Sequence, residues 1–173
     1  MERKSDFSVI GITGPTASGK TLVSQYLEEH GYSVIDADKV SREVTEIGQP
    51  SLLDLAKVFG QDVLEPSGAL NRRKLGDIAF ASPERTELLN NTIFPHIRKA
   101  IRDEFSTLEK QGKQLIFLDA PTLFESGLDS ECSAVVAVVA DTAIRTQRLL
   151  AREPDLSQQQ IETRIAAQPA NDF

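Results

Sequence analysis

The chain has 173 residues, 40% of them hydrophobic and 26% charged, with a formal net charge of −7. That length fits one domain with a proper core, and the acidic balance argues against a nucleic-acid partner. The longest strongly apolar stretch, Ala134 to Ala140, is far too short to cross a bilayer, and the charged start Met1–Asp6 lacks the apolar run of a signal peptide. Cys132 is the only cysteine, so no intrachain disulfide can form. It reads as a structural thiol in a cytoplasmic protein with no membrane partner.

Ser8–Thr13 predicts a short buried strand, followed by a glycine-containing turn and a helix over about Lys20 to His30. Leu22, Val23, Tyr26 and Leu27 are expected on one face of that helix, with Gly31 as its stop. Ser33–Asp36 predicts a second strand, and the spacing suits a right-handed crossover and a parallel pair with the first. From Val40 to about Glu109 the pattern is helical. It is broken by turn signals at Gly48-Gln49-Pro50, Glu65-Pro66-Ser67-Gly68 and Ser82-Pro83, the last a helix start. Leu115–Asp119 and Ala134–Ala140 predict two more buried strands. An arginine-rich helix follows, interrupted at Glu153-Pro154-Asp155, and Ser157 caps another helix reaching about Gln168. Apolar strands alternating with helices predict an α/β fold with a mostly parallel sheet.

Gly14-Pro15-Thr16-Ala17-Ser18-Gly19-Lys20-Thr21 matches the P-loop pattern G-x4-G-K-[ST]. Its glycines let backbone N–H groups turn inward around phosphates, and the following helix aims its positive end at the same anion. Lys20 is expected at the β- and γ-phosphates of a nucleoside triphosphate, and the Thr21 hydroxyl on Mg²⁺. Asp119 follows four apolar residues at a strand end, where an acid either holds Mg²⁺ through water or caps locally. Asp36 and Asp38 end the second strand, at the edge where open α/β sheets bind ligands. Either carboxylate suits a base for phosphoryl transfer, and Asp38 equally suits a helix N-cap.

Several segments together resemble the dephospho-coenzyme A kinase family, in the right order over nearly the whole chain. They are Val34–Asp38 with Arg42, Leu70–Leu75 with Phe80, Leu123–Leu128, and Arg148, Arg152 and Arg164–Gln168. The resemblance implies a single three-layer P-loop kinase domain, with a helical acceptor-binding insertion at 40–109 and a helical lid at 143–168. It also implies that ATP phosphorylates the ribose 3′-hydroxyl of dephospho-coenzyme A, with Mg²⁺, in a monomer or weak homo-oligomer. Catalysis would fall to Asp38 as base, with Lys20 and Arg148. ATP would lie on Gly14, Pro15, Thr16, Ala17, Ser18, Gly19, Lys20, Thr21 and Leu22, with Arg148 and Arg152. The acceptor would lie on Asp38, Arg42, Arg72, Pro95 and His96. Thr21 and Asp119 would serve the metal.

The sequence departs from that family in three places. Phe94-Pro95 stands where the family carries His-Pro, with His96 just after. Asp119-Ala120-Pro121 stands where it has apolar residues before the proline. The family's fifth strand and last helix, beyond a lid glutamine such as Gln168, have no counterpart before Phe173. Other readings fit parts of the chain: another P-loop nucleoside or nucleotide kinase, or an inactive truncated nucleotide-binding module. The loop by itself looks like that of tRNA dimethylallyltransferase, which needs an RNA surface and a much longer chain.

Overall fold

The computed structural model describes residues 7–166. The expectations for Met1–Asp6, Gln168 and the final Asn171-Asp172-Phe173 lie outside that range. In chain order the elements are β1 (Ser8–Thr13), α1 (Lys20–Glu29), β2 (Ser33–Asp36), α2 (Ala37–Glu43), α3 (Pro50–Phe59), α4 (Arg72–Ala79), α5 (Pro83–Lys110), β3 (Leu115–Asp119), β4 (Ala134–Ala137), α6 (Thr142–Arg152) and α7 (Gln158–Ala166). The chain divides into two compact units, at Ile35–Asp36 and at Gln111–Gly112.

The first unit is built on a four-stranded sheet in the order β2-β3-β1-β4. β1 runs parallel to both neighbours, with Ile10 opposite Phe117 on one side and Ala134 on the other. This corrects the expected β1–β2 pair, because β3 lies between them. The crossover rule fixes handedness, not adjacency. The central places go to the strands that bury most: Ile12 in β1 and Ile116 and Leu118 in β3 are at most 1% exposed. The expectation for the fourth strand is also corrected. β4 stops at Ala137, and Val135 and Val136 are exposed. Among the described residues it pairs with β1 alone, and an apolar run at such an edge is not thereby covered.

The phase of α1 differs from the pattern read in the sequence. Val23, Ser24 and Leu27 turn inward, while Leu22 and Tyr26 are exposed. The phosphate loop sets this phase. Lys20 is held at the end of β3, and residues three, four and seven positions on share its side. Gly31, at φ +82°, ends the helix as expected, with Tyr32 N–H donating to Leu27 C=O.

The second unit is helical. Ile93, Ile97, Ile101 and Phe105 form one buried stripe along α5, at a strict spacing of four. Leu52, Leu55, Ala56 and Phe59 of α3 and Leu75 and Ala79 of α4 complete that core. The expected start of α5 is present: Ser82 Oγ accepts from Arg85 N–H, and Pro83 opens the helix. α5 continues through Pro95, which lies exposed on its surface. In the first unit the break at Glu153–Asp155 also appears. Ser157 begins α7 with a reciprocal cap, its N–H donating to Gln160 Oε1 and its Oγ accepting from Gln160 N–H.

Two measurements test this packing. A Cβ at Gly11 would lie 2.8 Å from Leu123 Cδ2 and 3.0 Å from Cys132 Sγ. Leu123 is fully buried, so its methyl can give way only by disturbing the core around it. Gly11→Ala is therefore expected to destabilise by about 1–3 kcal/mol in denaturant unfolding; an unchanged midpoint would contradict the packing. Burial, with Asp129 and Glu131 nearby, pushes the Cys132 thiol up to about 11. It stays protonated at neutral pH, so a thiol reagent is expected to label native protein slowly and unfolded protein fast. Equal labelling rates would contradict that burial.

Candidate nucleotide site

β1 delivers the chain to the sheet edge through Thr13, which is tied on both sides. Thr13 C=O accepts from Val138 N–H at 2.8 Å, and Thr13 Oγ1 donates to Pro121 C=O at 3.4 Å. The loop Gly14–Gly19 then turns into α1. Gly14 takes φ +149°, and a Cβ there would lie 2.2 Å from Val138 C=O, so only glycine fits. Gly19 is the N-cap of α1 at φ +109°, with no side chain capping the helix and no acid in its first turn. The orphan N–H groups of that turn and the positive end of the helix are left to an anion. Ser18 Oγ is buried and has no hydrogen-bond partner among the described residues. Such an orphan suits a phosphate oxygen.

The loop lines a cavity of about 860 Å³. Thr13 through Leu22 form one wall. Pro121, Thr122, Phe124 and Glu125, just after β3, form another, and Arg148, Arg152 and Arg164 come from α6 and α7. Every residue expected to hold ATP lines this one cavity. The residues after β3 were not among those expected at the site, although Leu123–Leu128 carried part of the family resemblance. The family resemblance likewise marks Arg164 only as part of the lid.

Lys20 Nζ donates to Asp119 Oδ1, and buried Ser24 Oγ donates to Asp119 Oδ2. The carboxylate thus joins the end of β3 to the first turn and a half of α1. Neither the Lys20 contact nor Ser24 was visible in the sequence, because 99 and 95 residues separate them from Asp119. Arg148 Nη1 donates to Ala17 C=O at 3.0 Å and to Ser18 C=O at 2.9 Å. Arg152 and Arg164 both pair with Glu153, at 2.7 and 2.8 Å, tying the end of α6 to α7. Those two guanidiniums hold the Glu153 carboxyl below its ordinary range.

The other expected residues belong to the helical unit. Asp36 is the N-cap of α2: its Oδ1 accepts from Asp38 N–H at 2.9 Å and Lys39 N–H at 3.1 Å. Asp38 is therefore not the cap. It lies exposed in the first turn of α2. Arg72 Nη2 donates to Thr45 Oγ1 at 2.7 Å and to Arg42 C=O at 3.4 Å, which joins the start of α4 to the end of α2. His96 Nε2 pairs with Asp54 Oδ2 at 2.8 Å. Pro95 lines a small groove on α5 with Arg98, Lys99, Arg102 and Asp103. Among the described residues, no cluster of three or more His, Cys, Asp or Glu could hold a metal, and no helix is long and apolar enough to cross a membrane.

The dephospho-CoA kinase family profile matches residues 8–172. A dephospho-CoA kinase of Corynebacterium glutamicum is 40% identical over 163 residues, 94% of this chain and 81% of that protein. One of Shouchella clausii is 39% identical over 159 residues, 92% of this chain and 80% of that protein. A crystal structure from Thermus thermophilus superposes with a TM-score of 0.79 at 32% identity, covering 94% of this chain and 81% of that one. The match spans the phosphate loop, the helical unit and the segments after β3 alike. The chain belongs to the dephospho-CoA kinase family.

Proposed function

We propose that this chain binds MgATP in the cavity at Gly14–Thr21 and transfers the γ-phosphoryl group to the ribose 3′-hydroxyl of dephospho-coenzyme A. The observation that carries the reading is the cavity itself. One phosphate loop, an uncapped helix start, Lys20 and three arginines converge on a single space. That is the equipment phosphoryl transfer uses, because its transition state is stabilised by positioned charge more than by covalent chemistry.

In this reading the inward N–H groups of the loop and Lys20 hold the β- and γ-phosphates. Lys20 exchanges Asp119 for phosphate oxygens as the nucleotide enters, and Arg148 and Arg152 face the triphosphate from α6. Asp38 accepts the proton of the acceptor hydroxyl. The hydroxyl oxygen forms its bond to the γ-phosphorus as the β–γ bridging bond breaks, and ADP leaves with that electron pair. The division between the two acids supports Asp38 through Asp36 alone: the Asp36 carboxylate caps α2, and Asp38 stands in the first turn after it. The donors suit Mg²⁺, since Thr21 lines the cavity and Asp119, at the end of β3, holds the cavity-lining Lys20. Mg²⁺ takes such a sparse oxygen set because substrate phosphates complete it, and it neutralises charge on the phosphates. Asp38, Arg42, Arg72, Pro95 and His96 belong to the helical unit, which is proposed as the acceptor half. The α6–α7 pair is the proposed lid. The same reading has the enzyme work in the cytoplasm, as a monomer or weak homo-oligomer.

The acceptor is tested by ADP release from MgATP with dephospho-coenzyme A, adenosine and shikimate compared side by side. Release is expected with the first alone. Tight ATP binding without turnover on any acceptor would instead favour a nucleotide-binding module. The base is tested by two substitutions. Asp38→Asn is expected to lower kcat by about 10²–10⁴-fold with little change in ATP affinity. Asp36→Asn is expected to leave kcat near the wild-type value, because asparagine caps a helix about as well as aspartate. If Asp36→Asn caused the catalytic loss and Asp38→Asn did not, the roles would be reversed.

A further inference from the structure

α6 carries a third arginine, three and seven positions before the pair that lines the cavity and so on the same side of the helix. Arg145 is only 4% exposed, as deeply placed as the apolar core, and desolvation lowers its pKa from the ordinary arginine value. Arginine keeps its charge in proteins, so a buried guanidinium requires compensating acceptors. One is Thr16 C=O, which accepts from Arg145 Nε at 2.9 Å, across 129 residues of sequence. Three residues further along α6, Arg148 takes the next two carbonyls, those of Ala17 and Ser18.

These contacts bear on the phosphates through peptide geometry. A trans peptide unit is planar, and its C=O and N–H point in opposite directions. Holding Thr16 C=O fixes the direction of Ala17 N–H. Ser18 N–H closes a turn within the loop onto Pro15 C=O at 3.1 Å, and holding Ser18 C=O fixes the direction of Gly19 N–H in the same way. The restraint at Ala17 has something to oppose. Ala17 is the only non-glycine residue at positive φ among the described residues, at +60°. For an L-residue that conformation costs about 1–2 kcal/mol, so the loop needs outside contacts to keep it.

We propose that Arg145 is a positioning residue for the nucleotide. By fixing Thr16 C=O it presents Ala17 N–H to the phosphates, and it does so without touching them. This rests on the reading of Gly14–Thr21 as the ATP site. The ligand class that senses Arg145 is therefore polyphosphate, whatever base it carries.

Arg145→Met keeps most of the buried stem and removes the donor. Its affinity for ATP and for inorganic triphosphate, each measured by calorimetry, is expected to fall together by about tenfold. The KM for ATP rises accordingly, and the KM for the acceptor stays within about twofold. Arg145→Lys, which retains a charged donor, is expected to recover part of both affinities. Wild-type affinity for both phosphate probes in folded Arg145→Met overturns the proposal. So does a loss confined to kcat with the ATP KM unchanged, which marks a merely structural role. Should Arg145→Met not fold, Arg145→Lys decides: it is expected to bind triphosphate measurably more weakly than wild type, and equal binding overturns the proposal. A wild-type protein that binds neither probe would instead refute the ATP site itself.

Discussion

A peptide unit cannot point its N–H and its C=O the same way, and the candidate site depends on that constraint. For the loop after β1 to aim donors at an anion, its carbonyls must face away and find partners elsewhere. They do: Thr16 meets Arg145, and Ala17 and Ser18 meet Arg148. The strand end behind the loop is tied to both flanks through Thr13, and Gly14 passes so close to Val138 that no side chain fits. The parallel sheet brings these partners to one edge, although they come from segments more than a hundred residues apart.

The Lys20–Asp119 contact belongs to the same economy of charge. The pair is mostly buried, with side-chain exposures of 15% and 10%. Removing one partner from such a pair leaves an uncompensated charge, which is costly. A triphosphate avoids that cost on the lysine side, because it brings its own negative charge. On the carboxylate side, Ser24 Oγ donates to the oxygen of Asp119 that Lys20 does not hold. The resting protein therefore holds its lysine at the place where the phosphates are proposed to arrive, without needing them to order it.

Much of this was legible in the sequence where the signal is local. The phosphate loop needed only its own eight residues with a strand before and a helix after. The Ser82-Pro83 start of α5, the Gly31 stop of α1 and the break at Glu153–Asp155 are written in turn and cap chemistry within a few positions. What failed was non-local. The place of β3 between β2 and β1 depends on which strands bury most, and strand spacing does not encode that. The exposure of Val135 and Val136 follows from an edge position, not from composition. In the sequence Asp38 reads equally as cap or base; the Asp36 side chain takes the capping bonds, which excludes only the first. Nothing in the sequence singles out Arg145, because its acceptor lies 129 residues away.

The central claim is that the cavity lined by Gly14–Thr21 is where a triphosphate is held and its terminal phosphoryl group is given up. The most direct test is single-turnover transfer from γ-labelled MgATP to dephospho-coenzyme A by the wild type and by Lys20→Ala. The account expects transfer by the wild type and a loss of at least about a hundredfold in the variant, whose transferring phosphates lack their cation. Near-normal transfer by Lys20→Ala would contradict it.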